Sequence, residues 1–395
     1  MHWRTPRDKS QTCHTPILLD GQEFQPGHQV RWVGFWLSPS FNPNTHFLRR
    51  LASARSAFGL IQRFSSAGKG LSSRNCQKAA TLAIRPMLTY GANVLTPTSA
   101  LKPMTIFWNS ILRWATGCFR ATNRKVLWAE ANTPPLDLYL HYLKCKYAIR
   151  ILQACPLGNL VTGRTSPSFP TISNHRTFSH TQLLKGLPNP PKKWNSTALK
   201  GVAHLPIEFL GSLLLPLIRE GVAPEQMNRY AKTQLLVNWQ LHYAPPEYYA
   251  HPLSTTPLPF NDLLKFVATR IHQFRSGKSY LRAQKTWMTA HTPSTCERCN
   301  AAEETPEHVI LHCPKLAPNR HGLLRTITSL NDIWNDQTLT TALGAFIVST
   351  RMRYPRSAPP SPLATGSTTI STLTSISTIS SPLTPTGPIP AIYAS

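Results

Sequence analysis

Three cysteines and a histidine in the stretch CERCNAAEETPEHVILHC, namely Cys296, Cys299, His308 and Cys313, stand at a C-x2-C-x8-H-x4-C spacing. Thiolate and imidazole are donors that suit Zn2+, which takes four ligands tetrahedrally at about 2.3 Å for sulfur and about 2.0 to 2.1 Å for nitrogen. A two-residue turn presents the first thiolate pair, and a short helical turn presents the other two ligands. Four protein ligands leave no position for substrate water, so the metal implied is a structural zinc. A segment of about twenty residues cannot bury a useful apolar core, whereas bound zinc supplies roughly 10 to 16 kcal/mol of folding free energy in isolated fingers. The competing reading is ordinary buried thiols beside a surface histidine. His312 is a second nitrogen donor, but it adjoins Cys313 and is too close to chelate with it.

The rest of the chain must position that motif. Its 395 residues leave room for two or three domains. Lys and Arg number 42 against 16 Asp and Glu, a formal charge of +26 that points to a polyanionic partner, RNA or DNA first. Only 15% of residues are charged, so the imbalance comes from scarce acids. Between Phe24 and Ala129 there is no Asp or Glu, while fourteen Lys and Arg occur. That region has no carboxylate pair to hold two catalytic cations about 4 Å apart. Eight cysteines without secreted-domain spacing imply a reduced, intracellular compartment, nucleus or cytoplasm. The polar, basic start MHWRTPRDKS reads as no signal peptide, and LPIEFLGSLLLPLI, broken by Glu208 and two prolines, as no membrane span.

Pattern and breakers predict a mainly α chain with a small N-terminal β element, a basic helical bundle, a linker, a zinc-stapled module and a disordered tail. Residues 1–42 hold the β element, with a hairpin at Asp20-Gly21 and QVRWVGFWL as a following strand. Residues 43–155 hold the bundle. Its first helix follows Asn42-Pro43 with Phe47, Leu51, Ala54, Phe58 and Ile61 inward; its second follows Ser72 or Ser73 with Cys76, Ala80, Ala83 and Met87 inward and a kink or end at Pro86. A third spans about Pro103 to Phe119, with Met104, Trp108, Ile111, Ala115 and Cys118 aligned, and a fourth begins near Pro135. Residues 156–200 read as a linker, 201–260 as short helices, 261–320 as a basic helix capped by Asn261 plus the zinc module, 321–356 as further helix, and 357–395 as a Ser/Thr/Pro-rich disordered tail.

The segments RWVGFWL, LAIRPMLTYGANVL and FWNSILRWATG resemble the end of the palm and the thumb of reverse transcriptases from non-LTR (LINE-type) retrotransposons. Arg85-Pro86 with Tyr90-Gly91 carry its more specific part; DKSQTCHT is similar to a lysine-bearing palm motif, with Lys9 as the lysine. From FRSGKSYLRAQKTW to Pro314 the chain resembles the Cys/His element near the C-terminus of these polymerases. The resemblance implies a thumb-like bundle and a relative of an RNA-directed DNA polymerase. The family's Phe/Tyr-x-Asp-Asp motif is missing and no Asp-Asp dipeptide occurs, so no catalytic residue is assigned, and Mg2+ would enter only with the absent palm. No convincing set of four acids for a ribonuclease H lies between Glu208 and Asp262. Alternatives are a truncated gene model of a full, active reverse transcriptase, a zinc-dependent nucleic-acid-binding protein, and a decayed element.

The expected nucleic-acid contacts are Arg49, Arg50, Arg55 and Arg63 on the first helix, Lys69, Arg74 and Lys78 after it, and Arg275, Lys278, Arg282 and Lys285 before the zinc motif. Tyr280 and Trp287 lie among the last group, and flat rings stack on unpaired bases at roughly 1 to 3 kcal/mol each. The alternative is a helix that only packs against the zinc module. Nothing in the sequence sets an oligomeric state or a membrane role.

Overall fold

Asp20 and Gly21 have φ of 50° and 76°, the pair of left-handed residues that a tight hairpin turn needs, and they join β1 (Ile17–Leu19) to β2 (Gln22–Phe24) in antiparallel register with Leu19 opposite Gln22. A computed structural model describes residues 17–24, 29–38, 42–66, 68–154, 222–249, 251–285, 293–350 and 352. The expected linker at 156–200, the tail at 357–395, Lys9 and Trp287 lie outside the described residues.

QVRWVGFWL departs from the single strand expected. It folds into a second hairpin, β3 (Val30–Trp32) and β4 (Phe35–Leu37), around Val33 and Gly34 at φ 47° and 82°. A left-handed valine is costly, and the turn is held from outside: the Tyr90 hydroxyl donates to Val33 O at 3.1 Å. A Cβ on Gly34 would stand 2.7 Å from that hydroxyl, so only glycine lets the ring lie against the turn.

Helix α1 (Pro43–Gln62) starts as expected, with Asn42 capping Asn44 N–H and proline in the first turn. Phe47, Leu51, Ala54 and Phe58 are buried. Helix α2 (Ser73–Ala79), capped by Ser72, runs through a π turn (Ala80–Ile84) into α3 (Arg85–Thr89), so Pro86 does not end it. The π turn accommodates the proline, whose ring would clash one turn back; Arg85 N–H instead reaches Ala80 O, five residues earlier. This shifts the inner face by one residue. Cys76, Ala80, Ile84 and Leu88 are buried, while Ala83 is exposed and Met87 half-buried, contrary to a strict α-helical reading.

Helix α4 (Leu101–Thr116) buries the predicted Met104, Trp108, Ile111 and Ala115 and stops at Gly117, φ 77°, whose N–H donates to Arg113 O at 2.7 Å. Helices α5 (Arg124–Glu130) and α6 (Leu136–Ala154) follow. Of the span 201–260, where short helices are expected, residues 201–221 lie outside the described residues, and in the part described a twenty-residue helix, α7 (Pro224–Tyr243), packs along α6. Met227, Ala231, Leu235 and Trp239 recur every four residues as its buried stripe, and Trp239 enters the core formed by α1 to α6.

A second core surrounds α8 (Lys265–Arg275), with α9 (Leu330–Asn335) and α10 (Gln337–Ser349). Asn261 does not cap α8; it is buried in a 3-10 turn, Pro259–Asp262, and donates to Gln77 Oε1 at 3.1 Å. Ten of the eleven residues of α8 are buried, because the helix touches α2 and α4 on one side and α10 on the other. Its polar residues meet the carboxyl end of α4. Lys265 Nζ donates to Trp114 O at 3.3 Å and Ala115 O at 2.5 Å, and Gln273 Nε2 donates to Gly117 O at 3.0 Å. Carbonyls left without partners at a helix end are thereby satisfied. A Cβ on Gly117 would lie 2.4 Å from Thr269, so glycine both ends α4 and allows this approach.

Candidate metal centre and basic surface

The first two candidate ligands sit in a turn tied by its own backbone. Cys296 N–H donates to Ala302 O at 2.8 Å, Asn300 N–H donates to Cys296 O at 2.9 Å, and Thr295 bridges Glu303. Asn300 closes the turn with φ 56°, a conformation asparagine tolerates. The other two ligands flank a π turn, His308–His312, where Cys313 N–H reaches His308 O at 2.6 Å. Five residues on an ordinary α-helix would diverge by about 140°. The wider turn brings His308 and Cys313 onto one side.

The four donor atoms all lie within 4.8 Å of one another, with Cys296 Sγ to Cys313 Sγ at 4.0 Å and Cys299 Sγ to His308 Nε2 at 3.2 Å. A tetrahedral ion with bonds of about 2.3 Å to sulfur has S···S edges of about 3.8 Å. The group can hold a metal ion. The backbone N–H of Ala301 is the largest influence on Cys299 and holds its thiol below the ordinary value, toward the ligating thiolate; burial raises that of Cys313. His312 is exposed and outside the group.

Two supports of this centre escape sequence inspection. Arg320 is buried and donates to Ile310 O at 2.6 Å and Cys313 O at 2.9 Å, clamping the π turn. Arg282, expected at nucleic acid, faces the metal turn: its guanidinium pairs with Glu297 at 2.5 Å and donates to Thr295 O at 3.3 Å. Glu304, also buried, accepts from Arg282 N–H at 2.9 Å. Nothing in local sequence marks these arginines, because their acceptors are mostly carbonyls.

The structure divides the other expected contacts. Arg49, Arg55, Arg63, Lys69 and Lys78 are exposed; Lys278 and Lys285 are half-buried. Arg49 lies 5.2 Å over the Trp36 ring and donates to Gln29 Oε1 at 3.1 Å, so the β3–β4 hairpin props it at the surface. Arg50 is committed inward, to Met87 O at 2.8 Å and over the Tyr90 ring, and Arg74 pairs with Asp262 at 2.5 Å.

Arg275 contradicts the surface role given to it. It is buried, with Nε 2.8 Å from Glu130, a carboxylate fully removed from solvent. The same carboxylate meets His272 Nδ1 at 2.5 Å and the Tyr249 hydroxyl at 2.6 Å. Burial would raise its pKa, but Arg275, then His272 and Tyr249, outweigh that and hold it at about 2. His272 is lowered as well, and there burial is the largest cause and outweighs the Glu130 contact that would raise it. One carboxylate already balances Arg275, and a second buried cation there would have no counter-charge. Tyr280, offered as a stacking ring, is half-buried edge-on to Phe119 with Arg270 4.9 Å from its centre, whereas Trp32 and Phe64 stand 66% and 68% exposed.

Comparison with protein-family models, curated proteins and solved structures finds no match to the chain. Among the described residues no helix is long and apolar enough to cross a membrane.

Proposed function

We propose that the chain is a nucleic-acid-binding protein with a structural zinc centre, the thumb and Cys/His portion of a non-LTR retrotransposon reverse transcriptase, and that it does no polymerase chemistry by itself. One observation carries the binding role: the exposed cations of the acid-free stretch, Arg49, Arg55, Arg63, Lys69 and Lys78, form no ion pair among the described residues. The acids that do pair with bases pair elsewhere: Glu130, buried, with Arg275 and His272, and the exposed Asp262 and Glu297 with Arg74 and Arg282. Exposed Trp32 and Phe64 lie beside Arg31 and Arg63 in the chain, so rings that can stack on bases accompany groups that neutralise phosphate. The helices of residues 43–155 take the part of the thumb, holding the duplex backbone.

Three sulfurs and one nitrogen suit zinc, and the closed set makes its role structural. The residues that would hold it are Cys296, Cys299, His308 and Cys313, two of them inside the second core, so the metal ties the turn to the helices packed on α8.

The test is binding of an RNA/DNA hybrid across a salt series. The logarithm of affinity is expected to fall linearly with log salt, and the triple substitution of Arg49, Arg55 and Arg63 by alanine to flatten that slope by about one for each phosphate no longer neutralised. Arg50 is left intact because it supports Tyr90. Affinity indifferent to salt and to the three substitutions would sink the proposal. Metal analysis of the purified chain is expected to give one zinc per chain, absent from Cys299→Ser; a metal-free protein that unfolds cooperatively would refute the zinc assignment.

A further inference from the structure

A cleft of about 650 Å³ opens between the end of α4, the start of α5 and the end of α7. Four cations line it, Arg113, Arg120, Arg124 and Lys125, and none of them forms an ion pair among the described residues. Arg113 is partly occupied, with bonds of 3.4 Å to Phe119 O and Asn109 O, while Arg120 and Arg124 are exposed. Asp137 accepts from the Tyr243 hydroxyl at the wall. Glu130, seven residues from Asn123, is turned inward to Arg275 and offers the cleft nothing. Four cations thus line one cavity, and none of them is paired with an acid among the described residues.

A second observation is independent of charge. Thr122 lines the same cleft, is 3% exposed, and its Oγ1 has no hydrogen-bond partner. A buried hydroxyl left unpaired is destabilising, and a ligand oxygen in the cleft would offset that cost. Among polyanions, phosphate fits this lining, since a phosphate ester offers several acceptor oxygens and up to about two negative charges.

We propose that this cleft binds phosphate groups, taking two adjacent phosphates of either a free nucleotide or a nucleic-acid strand through Arg120, Arg124, Lys125 and the Thr122 hydroxyl. The site shares no residue with the arginines of α1, and its existence does not depend on their role.

The experiment uses the full chain at low salt, with calorimetry for pyrophosphate and fluorescence anisotropy for a labelled 12-nucleotide single strand. Three variants are compared: Arg120→Glu with Arg124→Glu, Thr122→Val, and a control pair Arg49→Glu with Arg63→Glu. Saturable pyrophosphate binding, weakened at least tenfold by the first variant, several-fold by the second and not by the control, supports the site and a free nucleotide as its source. Undetectable pyrophosphate binding, with strand affinity weakened in that order by the first two variants, supports the site with a strand as its source. Thr122→Val is expected to melt at or above the temperature of the parent chain, so its effect on binding is not one of unfolding. Binding of both probes that is indifferent to the first variant overturns the proposal. So does a loss confined to the charge reversal with Thr122→Val unchanged, since that reduces the cleft to a diffuse basic surface. Failure of the α1 variants to alter hybrid binding would leave the pyrophosphate result standing.

Discussion

Helices α1 and α8 are both rich in bases, and the fold puts them to opposite uses. α1 packs one stripe inward and leaves Arg49, Arg55 and the following Arg63 to solvent. α8 is threaded between two cores, so Lys265, Arg270, His272 and Arg275 are all buried. Each of the four then finds an acceptor: α4 carbonyls for Lys265, Met352 O for Arg270, and Glu130 for His272 and Arg275. A cation's fate follows from how many sides of its helix are covered, and basic composition does not report that. Removing a charge should therefore matter in opposite ways: to stability at α8, to binding at α1.

Glu130→Gln is the largest expected effect. It leaves Arg275 buried without its anion, and breaking a buried pair from one side costs about 3 to 5 kcal/mol. Urea unfolding of the variant should show that loss in the midpoint. A cost under about 1 kcal/mol, the range of solvent-exposed pairs, would mean that water reaches Arg275, and the contrast between the helices would collapse.

Much of α1 and α4 is legible in the sequence because their signals are local. Asn42-Pro43 and the spacing of Phe47, Leu51 and Ala54 lie within a turn or two of what they control, whereas the expected end of α4 at Phe119 overshoots Gly117, where the helix stops. The cluster of Cys296, Cys299, His308 and Cys313, which could hold a metal, is legible for the same reason, being gathered in eighteen residues. Arg275 is misplaced by its sequence because its partner stands 145 residues away, and no pattern in FRSGKSYLRAQ distinguishes a buried guanidinium from a free one. The α2 face slips by one residue at Pro86 since a kink and a π turn share one sequence signal. The stripe of α7 is present at Met227, Ala231, Leu235 and Trp239, but the prolines on either side of it are equally the mark of broken, short helices.

Acid sharpens the comparison at intermediate magnitude. His272 on α8 and His46 on α1 are both lowered below the ordinary value of 6.5, first by burial. His251 is lowered to about 4, again first by burial. The unfolded chain therefore takes up protons near pH 6.5 that the folded chain refuses. Stability from these groups is complete above that pH and falls as pH drops toward the folded values, at about 1.4 kcal/mol per pH unit for each fully buried imidazole. Glu130, held at about 2, adds a further loss below the ordinary carboxylate value of 4.5. Urea midpoints at about pH 8, 7, 6 and 5 should be level at the top and decline below about 6.5. A flat profile would place a charged His272 beside Glu130 and give α8 one buried cation too many.

The smallest expected effect is the most diagnostic for α1. Arg49→Ala removes a guanidinium whose contacts are an exposed Gln29 amide and the Trp36 ring, and Arg63→Ala removes one exposed at the end of the helix. Surface changes of this kind usually stay within about 0.5 kcal/mol, and a cation over a ring at an exposed site adds about 0.5 to 1 kcal/mol. Arg63→Ala should leave the urea midpoint unchanged and Arg49→Ala should lower it slightly, while both weaken hybrid binding. Repulsion within a stretch that carries fourteen bases and no acid also works against the folded state, so removing one charge can offset part of the stabilisation that the Trp36 ring supplied. If either substitution lowered stability by as much as Glu130→Gln, the arginines of α1 would be structural, as those of α8 are, and the cations left to meet a phosphate backbone would be Lys69 and Lys78.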